Sequence, residues 1–348
     1  MAYTPIDKSS DYFNTLLYTG NDTASTTISG VGFQSDFTWI KSRTTTENHH
    51  AFDAVRGGGY RIYPNLADAQ SYIATTLTSW TSDGFVVGTD DGVNANGANF
   101  VAWNWKANGA GATNEDGSIN STKTSASTTS GFSIVSYTGT NSTATVGHGL
   151  GVAPKMIIWK ERGNTNDWCV WHTSLSATQV LILNTTAATA SDSNVMGTLP
   201  TSSVFSIGQG TRTNRSSGTY IAYCFAEKQG FSKFGSYKGN GNNDGTFTYL
   251  GFKPAFLIIK RTDTGNSWYM YTGKTSTSGG NLTDKYLEAN EANAEATTTG
   301  EYGFDFLSNG FKATGTGGGT NNGSGTYIYM AFAENPFVTS TGIPTPAR

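Results

Sequence analysis

The sequence predicts an all-β protein made of three tandem β-sandwich repeats of jelly-roll or lectin-like type. Two observations carry this. Aromatic and β-branched runs alternate with Gly, Asn and Ser clusters along the whole chain, which is the pattern of strands joined by tight turns. Five phrases also recur three times in the same order, and self-similarity at a fixed period is the mark of a repeated domain.

The first phrase is "LLYTGN" from Leu16, "VSYTGT" from Val135 and "GSYKGN" from Gly235. The second is "GVGFQSDFTWIKSR" from Gly30, "GLGVAPKMIIWKER" from Gly149 and "YLGFKPAFLIIKRT" from Tyr249. Its lysines, Lys41, Lys160 and Lys260, are 119 and 100 residues apart. Eight residues after each lysine an aromatic strand begins, at His49, Trp168 and Trp268. A turn and short strand follow: "SDGFVVG", "SSVFSIG" and "SNGFKATG". The last phrase is "ANFVAWNWKANG", "GTYIAYCFAEKQGF" and "GTYIYMAFAENPF". Its apolar residues at nearly every position predict a strand with apolar neighbours on both faces. The blocks fall at 1–107, 131–229 and 230–336, followed by a 337–348 tail.

The extra length in the first interval is "NGAGATNEDGSINSTKTSASTTSG". Its small polar composition predicts a flexible linker over 108–130, leaving the first block free to swing. "DKYLEANEANAEATT", Asp284 to Thr298, is the one helix-like segment, and "VLILNTTAATAS" reads as a strand and a short helical turn.

A net charge of −3, with 14% charged residues, excludes the basic stripe of a nucleic-acid binder. No apolar run approaches the roughly 20 residues of a membrane helix, so no membrane insertion is expected. The N-terminus lacks the apolar core of a secretory signal, and synthesis in a cytoplasm is expected. Cys169 and Cys224 are expected to be free buried thiols.

The repeated lysines are expected to cover apolar surface with their stems and keep their ammonium groups in water. Glu227 and Glu334, at the ends of the last strands, are candidates to pair with Lys160 and Lys260. Four histidines, His49, His50, His148 and His172, lack zinc-site spacing, and no metal or cofactor is expected. No Ser or Cys nucleophile motif occurs. The acids Asp90 and Asp91, and Glu288, Glu291 and Glu295, read as turn-forming and solvated rather than as a glycosidase pair. No enzyme activity is expected.

Aromatic rings stack on sugar faces, so Trp168 and Trp171 are the first candidates for glycan binding, against the alternative that they fill the core. Three residues apart on a strand, they face opposite sides, so one of them is a candidate to look outward. Asp90, Asn94, Asn96, Arg212 and Arg215 lie in loops that differ between blocks, and loops on a constant scaffold are where recognition usually sits.

The phrases "FTWIKSR", "FDAVRG", "SDGFVVGTDDGVNANGANFVAWNWKANG", "VGHGLGVAPKMIIWKER", "YIAYCFAEKQGFSKFGSYKGNG" and "YIYMAFAENPF…GIPTPAR" resemble a family of virion proteins of tailed bacteriophages of marine bacteria and cyanobacteria. The resemblance runs from about Tyr12 to Arg348. It implies a place on the virion surface, with other virion proteins and a host surface glycan as partners. It carries no catalytic set. Here the module stands nearly alone, with "MAYTPIDKSS" as N-terminal anchor, so a short tail fibre or tip adhesin is expected. Alternatives are a capsid decoration or head fibre and, more remotely, a glycan depolymerase. Both leading readings imply a homotrimer, in keeping with the cyclic symmetry common among oligomers.

Overall fold

The structure, a computed structural model, describes residues 4–277, 281–298 and 300–335. Nearly every element is a strand. The first block runs β1 (Phe13–Thr19), β2 (Thr26–Ser29), β3 (Phe37–Ser42), β4 (His50–Asp53), β5 (Tyr60–Arg61), β6 (Ser71–Tyr72), β7 (Leu77–Thr81), β8 (Gly84–Val87), the one-turn helix α1 (Asp91–Asn94) and β9 (Asn99–Trp105). After β10 (Lys123–Ser127), the second runs β11 (Phe132–Thr138), β12 (Ala144–Gly147), β13 (Met156–Glu161), β14 (Cys169–His172), β15 (Gln179–Ile182), β16 (Ala190–Ser191), β17 (Val204–Ile207), α2 (Thr211–Asn214) and β18 (Thr219–Phe225). The third runs β19 (Ser232–Lys238), β20 (Phe247–Tyr249), β21 (Lys253–Arg261), β22 (Trp268–Thr272), β23 (Lys285–Glu288), β24 (Ala296–Thr297), β25 (Phe304–Leu307), β26 (Gly310–Ala313) and β27 (Thr326–Asn335).

Three antiparallel sheets dominate. Their orders are β1-β9-β3-β4, then β10-β11-β18-β13-β14-β15-β16, then β19-β27-β21-β22-β23-β24. In each, the last strand of the block lies between the block's first strand and its lysine strand. The registers coincide: Phe37 faces Trp105, Met156 faces Phe225, and Phe256 faces Phe332.

The last strands explain their own composition. Side chains alternate across a strand, and here both faces are covered. Val101, Trp103 and Trp105 enter a cluster that also takes Ile221, Tyr223 and Phe225, and Ile328, Met330 and Phe332. The opposite faces enter three separate clusters, with Phe100 and Ala102 in one, Tyr220 and Ala222 in the next, and Tyr327 and Tyr329 in the third. Each separate cluster also draws on a small sheet of its block, for example Phe85, Phe205 and Phe311. Burying each large apolar side chain contributes about 1.5–3 kcal/mol, so no position on these strands is free to be polar without cost. In the shared cluster, Trp105, Phe225 and Phe332 form a triangle with ring centroids 6.2, 5.8 and 6.2 Å apart.

The blocks are also joined in a closed cycle of hydrogen bonds. Glu47 N donates to Ala292 O, Asn166 N to Ala67 O, and Asn266 N to Thr186 O, at 3.0, 2.8 and 2.8 Å. Glu295 N donates to Arg43 O, Gln70 N to Arg162 O, and Thr189 N to Thr262 O. The first block thus bonds the third, the third the second, and the second the first. The first block is held in this cycle and in the shared core rather than left free to swing.

Three further expectations need correction. Residues 108–130 hold β10, which adds to the outer edge of β11, and Ile119 N donates to Thr145 O beside β12. The segment is an ordered strap on the second block, since its Ser and Thr backbone finds two open edges to bond. Asp284–Thr298 contains β23 and β24, not a helix. Its helix-forming Glu and Ala residues are overridden because β23 pairs with β22 and the Asn290 side chain accepts from Trp268 N at 2.7 Å. Likewise Val180–Ser191 ends in β16 rather than a helical turn. The 337–348 tail lies outside the described residues.

Candidate functional site

The repeated lysines are buried, and water does not reach them. Lys160 Nζ donates to Glu161 O, Asn166 O and, across the junction, Ala67 O, at 2.7, 2.9 and 3.2 Å. Lys260 Nζ donates to Asn266 O and across to Thr186 O, and Lys41 Nζ to Ser42 O. An ammonium has three protons to place, and here carbonyls replace water as acceptors. Burial pushes each of the three down to about 8. Glu227 and Glu334 do not pair with Lys160 or Lys260. Glu227 accepts from Phe234 N, and Glu334 pairs with Lys253 at 2.9 Å.

The aromatic residue eight places on completes each junction. Trp168 Nε1 donates to Tyr63 O at 2.8 Å, and Trp268 Nε1 donates to Ile182 O at 2.9 Å. In the first block the ring is His49, whose Nε2 lies 3.1 Å from Glu288 O. Its Nδ1 accepts from Trp39 Nε1 at 2.8 Å, so Nε2 carries the proton. Trp39 stands where the other blocks have Ile158 and Ile258, and it restores the bulk that His49 lacks.

Neither tryptophan proposed as a glycan contact looks outward. Trp168 lies in the shared cluster, and Trp171 lies in the second block's own cluster with Nε1 donating to Ser176 O. The strand is covered on both faces, so opposite orientation gives two buried rings. Asn94 is also buried, and it does not differ between blocks. Its Nδ2 donates to Gly88 O, as Asn214 Nδ2 does to Gly208 O and Asn321 Nδ2 to Gly315 O, at 2.7, 2.6 and 2.7 Å. Each of these residues stands six places before the aromatic residue of the last strand, a spacing legible in the sequence. Arg212 lies half-buried between Asp167 and Asp192, and Arg215 Nε donates to the buried Glu161 at 2.8 Å. These two arginines hold α2 against the second block's loops. Asn96 is exposed on its turn.

Asp90 leads elsewhere. Its Oδ1 caps α1 by accepting from Gly92 N, and its Oδ2 accepts from Arg61 Nη1 at 2.7 Å. Arg61 Nε donates to Ser71 Oγ across the β5–β6 hairpin at 3.2 Å. On that hairpin Tyr60 faces Tyr72. Their ring centroids are 5.0 Å apart at 60°, and the residues are 38% and 59% exposed. Gly59 makes the arrangement possible. Its φ is +78°, and a Cβ there would lie 2.6 Å from the Tyr72 ring. In the second block the matching hairpin positions hold Gln179 and Ser191, and in the third Lys285 and Thr297.

Two exposed rings, two phenolic hydroxyls and a serine on one hairpin, with the Arg61–Asp90 pair beside it, form a surface suited to stacking on an apolar ring face and hydrogen-bonding its rim. What marks it is uniqueness, with aromatics in one block and none at the matching places of the others, but the strand registers and not the sequence give that match. Among the described residues no cluster of three or more His, Cys, Asp or Glu side chains can hold a metal. Among the described residues no helix is long and apolar enough to cross a membrane. Both cysteines are free and buried, and burial pushes the Cys169 thiol up to about 12.

The fold and site define an all-β protein whose three sheets meet in one aromatic core and whose first block carries an exposed tyrosine pair. The chain belongs to the DUF7483 family, described as a domain of unknown function, whose model matches residues 8–336. No curated protein matches the chain.

Proposed function

We propose that the chain is three tandem β-sandwich copies closed into a pseudo-threefold ring. We further propose that it is a non-enzymatic bacteriophage virion protein, a tail-fibre or tail-tip adhesin that binds host surface glycan through the Tyr60–Tyr72 hairpin. The matching registers and the cycle of junction hydrogen bonds support the ring. The exposed tyrosine pair carries the binding reading, because it stands in one block alone while the aromatic positions that recur are engaged in the cores. The threefold arrangement that a homotrimer would supply is available within one chain, so single chains are the proposed unit in the particle.

The test is adsorption. Purified protein should compete with phage for host cells, and the double variant Tyr60→Ala, Tyr72→Ala should compete at least tenfold less well while unfolding at the same temperature. No competition by the unaltered protein at saturating concentration overturns the adhesin.

One observation favours the second reading, a capsid decoration or short head fibre. Phe247 and Tyr249 on β20 are 45% and 59% exposed on one face of an edge strand. In the second block the matching strand β12 is flanked by Ser118 and Ile119. An apolar strand edge of this kind suits a protein partner. Labelled antibody on intact particles separates the readings, with tail-tip label supporting the adhesin and label across the head supporting decoration.

A further inference from the structure

The three junctions are alike in backbone and unlike in the side chains that fill them. At the first, between the first and second blocks, Tyr223 OH donates to Asp53 Oδ2 at 2.7 Å, and Arg56 neutralises Asp53 at 2.5 Å. At the second, between the second and third blocks, His172 stands in the place of Asp53, with its Nε2 3.1 Å from Tyr329 O. At the third, between the third and first blocks, the same place holds Thr272.

The junctions also differ in how they treat one arginine position. At the third, Glu295 N donates to Arg43 O, and the side chains then close a bidentate pair. Arg43 Nε donates to Glu295 Oε1 at 3.0 Å and Nη2 to Oε2 at 2.7 Å. At the first, the same backbone bond joins Gln70 N to Arg162 O at 2.8 Å. The arginine is kept and the carboxylate is replaced by an amide, whose Oε1 is turned to Arg56 Nη1, 3.5 Å away. Arg162 keeps one long hydrogen bond, Nη1 to Ser136 Oγ at 3.4 Å, and makes no ion pair among the described residues. Its Nε is buried without a partner, while its Nη2, also without one, is open to solvent on a half-buried side chain. Burial, and after it the charge of Arg56, works against the Arg162 cation, and Asp53, the carboxylate that would offset this, is committed to Arg56 and Tyr223. A guanidinium does not escape by losing its proton. Lys123 adds a second unpaired cation: it is exposed, and as the register partner of Ser136 it shares that residue's face of the sheet.

This uncompensated charge stands beside the tyrosine hairpin. Gln70 lies two residues before Tyr72, roughly 7 Å along an extended chain. The Tyr60 phenol is close enough to act on the Arg162 charge. We propose that the Tyr60–Tyr72 site takes an acidic glycan, with a uronic-acid carboxylate seated on Arg162 while a neighbouring sugar ring lies on the tyrosines. The inference rests on the adhesin reading and adds the class of sugar. With Nε closed off, the open edge of Arg162 is Nη1–Nη2, and each nitrogen has an N–H to spare for a carboxylate oxygen. The Arg43–Glu295 pair shows what this arginine position does when a carboxylate is supplied.

Binding of the full chain to host surface polysaccharide tests it, with the polymer used native and after reduction of its carboxyls to hydroxyls. The reduced polymer should bind at least tenfold more weakly. Arg162→Gln should bring the native polymer down to the level of the reduced one. Gln70→Glu should do the same, because it supplies the counter-ion found at the third junction, and its melting temperature should not fall. Tyr72→Ala should weaken both polymers. Equal binding of the two polymers, or native binding unaltered in Arg162→Gln and Gln70→Glu, overturns the acidic class and leaves the adhesin standing. Binding of neither polymer by the unaltered chain overturns both. Because Gln70→Glu adds a pair rather than removing one, it tests the site even if Arg162→Gln does not fold.

Discussion

The first and third blocks use one hairpin position in opposite ways. In the first, Tyr60 and Tyr72 leave their rings to solvent. In the third, Lys285 Nζ donates to Thr297 Oγ1 at 2.6 Å, so the pair satisfies itself. Yet three residues further along the chain, the backbone does the same work in both. Tyr63 O and Glu288 O each meet a ring from the neighbouring block. Main-chain junction contacts are held constant, and side chains outside them are free to diverge. The proposed recognition lies at a diverged place, and the constant places hold the blocks together.

The largest expected effect comes from breaking a constant place. Trp105→Ala removes one corner of the aromatic triangle and should destabilise the chain by about 3–5 kcal/mol, the usual cost of deleting a large buried ring. Urea unfolding should shift as one transition, because that ring packs against Phe225 and Phe332 of the other blocks. A second transition left in place would show that the blocks unfold independently and that the shared core couples nothing.

Two loop asparagines sharpen the contrast. Asn214→Ala leaves Gly208 O and Ser142 O without their donor in a buried turn and should cost about 1–3 kcal/mol. Asn96→Ala, on the exposed turn, should stay within about 0.5 kcal/mol. Equal effects would remove the distinction between pinned and free loop positions.

The distinction also marks what the sequence could disclose. The closing strand was legible because both its faces are buried, so alternation never interrupts the apolar run. The Asn94, Asn214 and Asn321 series was legible in spacing, but the turns around it differ so much that the loop read as variable throughout. The buried lysines were not legible. Their acceptors Ala67 and Thr186 lie in neighbouring blocks, and only the packing of block against block brings those carbonyls within reach. Glu295 likewise meets Arg43 at 2.7 Å across the junction of the first and third blocks, a pairing no local pattern encodes. The tyrosine hairpin fell between two recurring phrases, where there was nothing to align.

The second junction should respond to acid in a way the third does not. Burial holds the His172 imidazole down to about 4, against an unfolded value near 6.5. Between those values the unfolded chain binds more protons, so stability falls as pH drops from about 6.5 to 4. His172→Gln should flatten part of that fall in melting temperature. Thr272, at the matching place of the third junction, has nothing to titrate, so Thr272→Val should leave the slope unchanged. The same acid slope in all three proteins would assign it to His50, which burial lowers to about 3, or to other groups.

The smallest stability effect should come with the clearest gain of function. Writing the tyrosine pair into the second block, Gln179→Tyr with Ser191→Tyr, changes two facing hairpin positions outside its cores. Stability should move by no more than about 0.5 kcal/mol. If two facing rings suffice for binding, glycan should now bind at two places per chain, and competition with phage should survive Tyr72→Ala. If competition is still lost, the rings need what surrounds them in the first block: Gly59, which lets Tyr72 lie over the backbone, and the Arg61–Asp90 pair beside them. Adding Thr178→Gly at the exposed place that matches Gly59 then separates the two, because it supplies the glycine without the arginine.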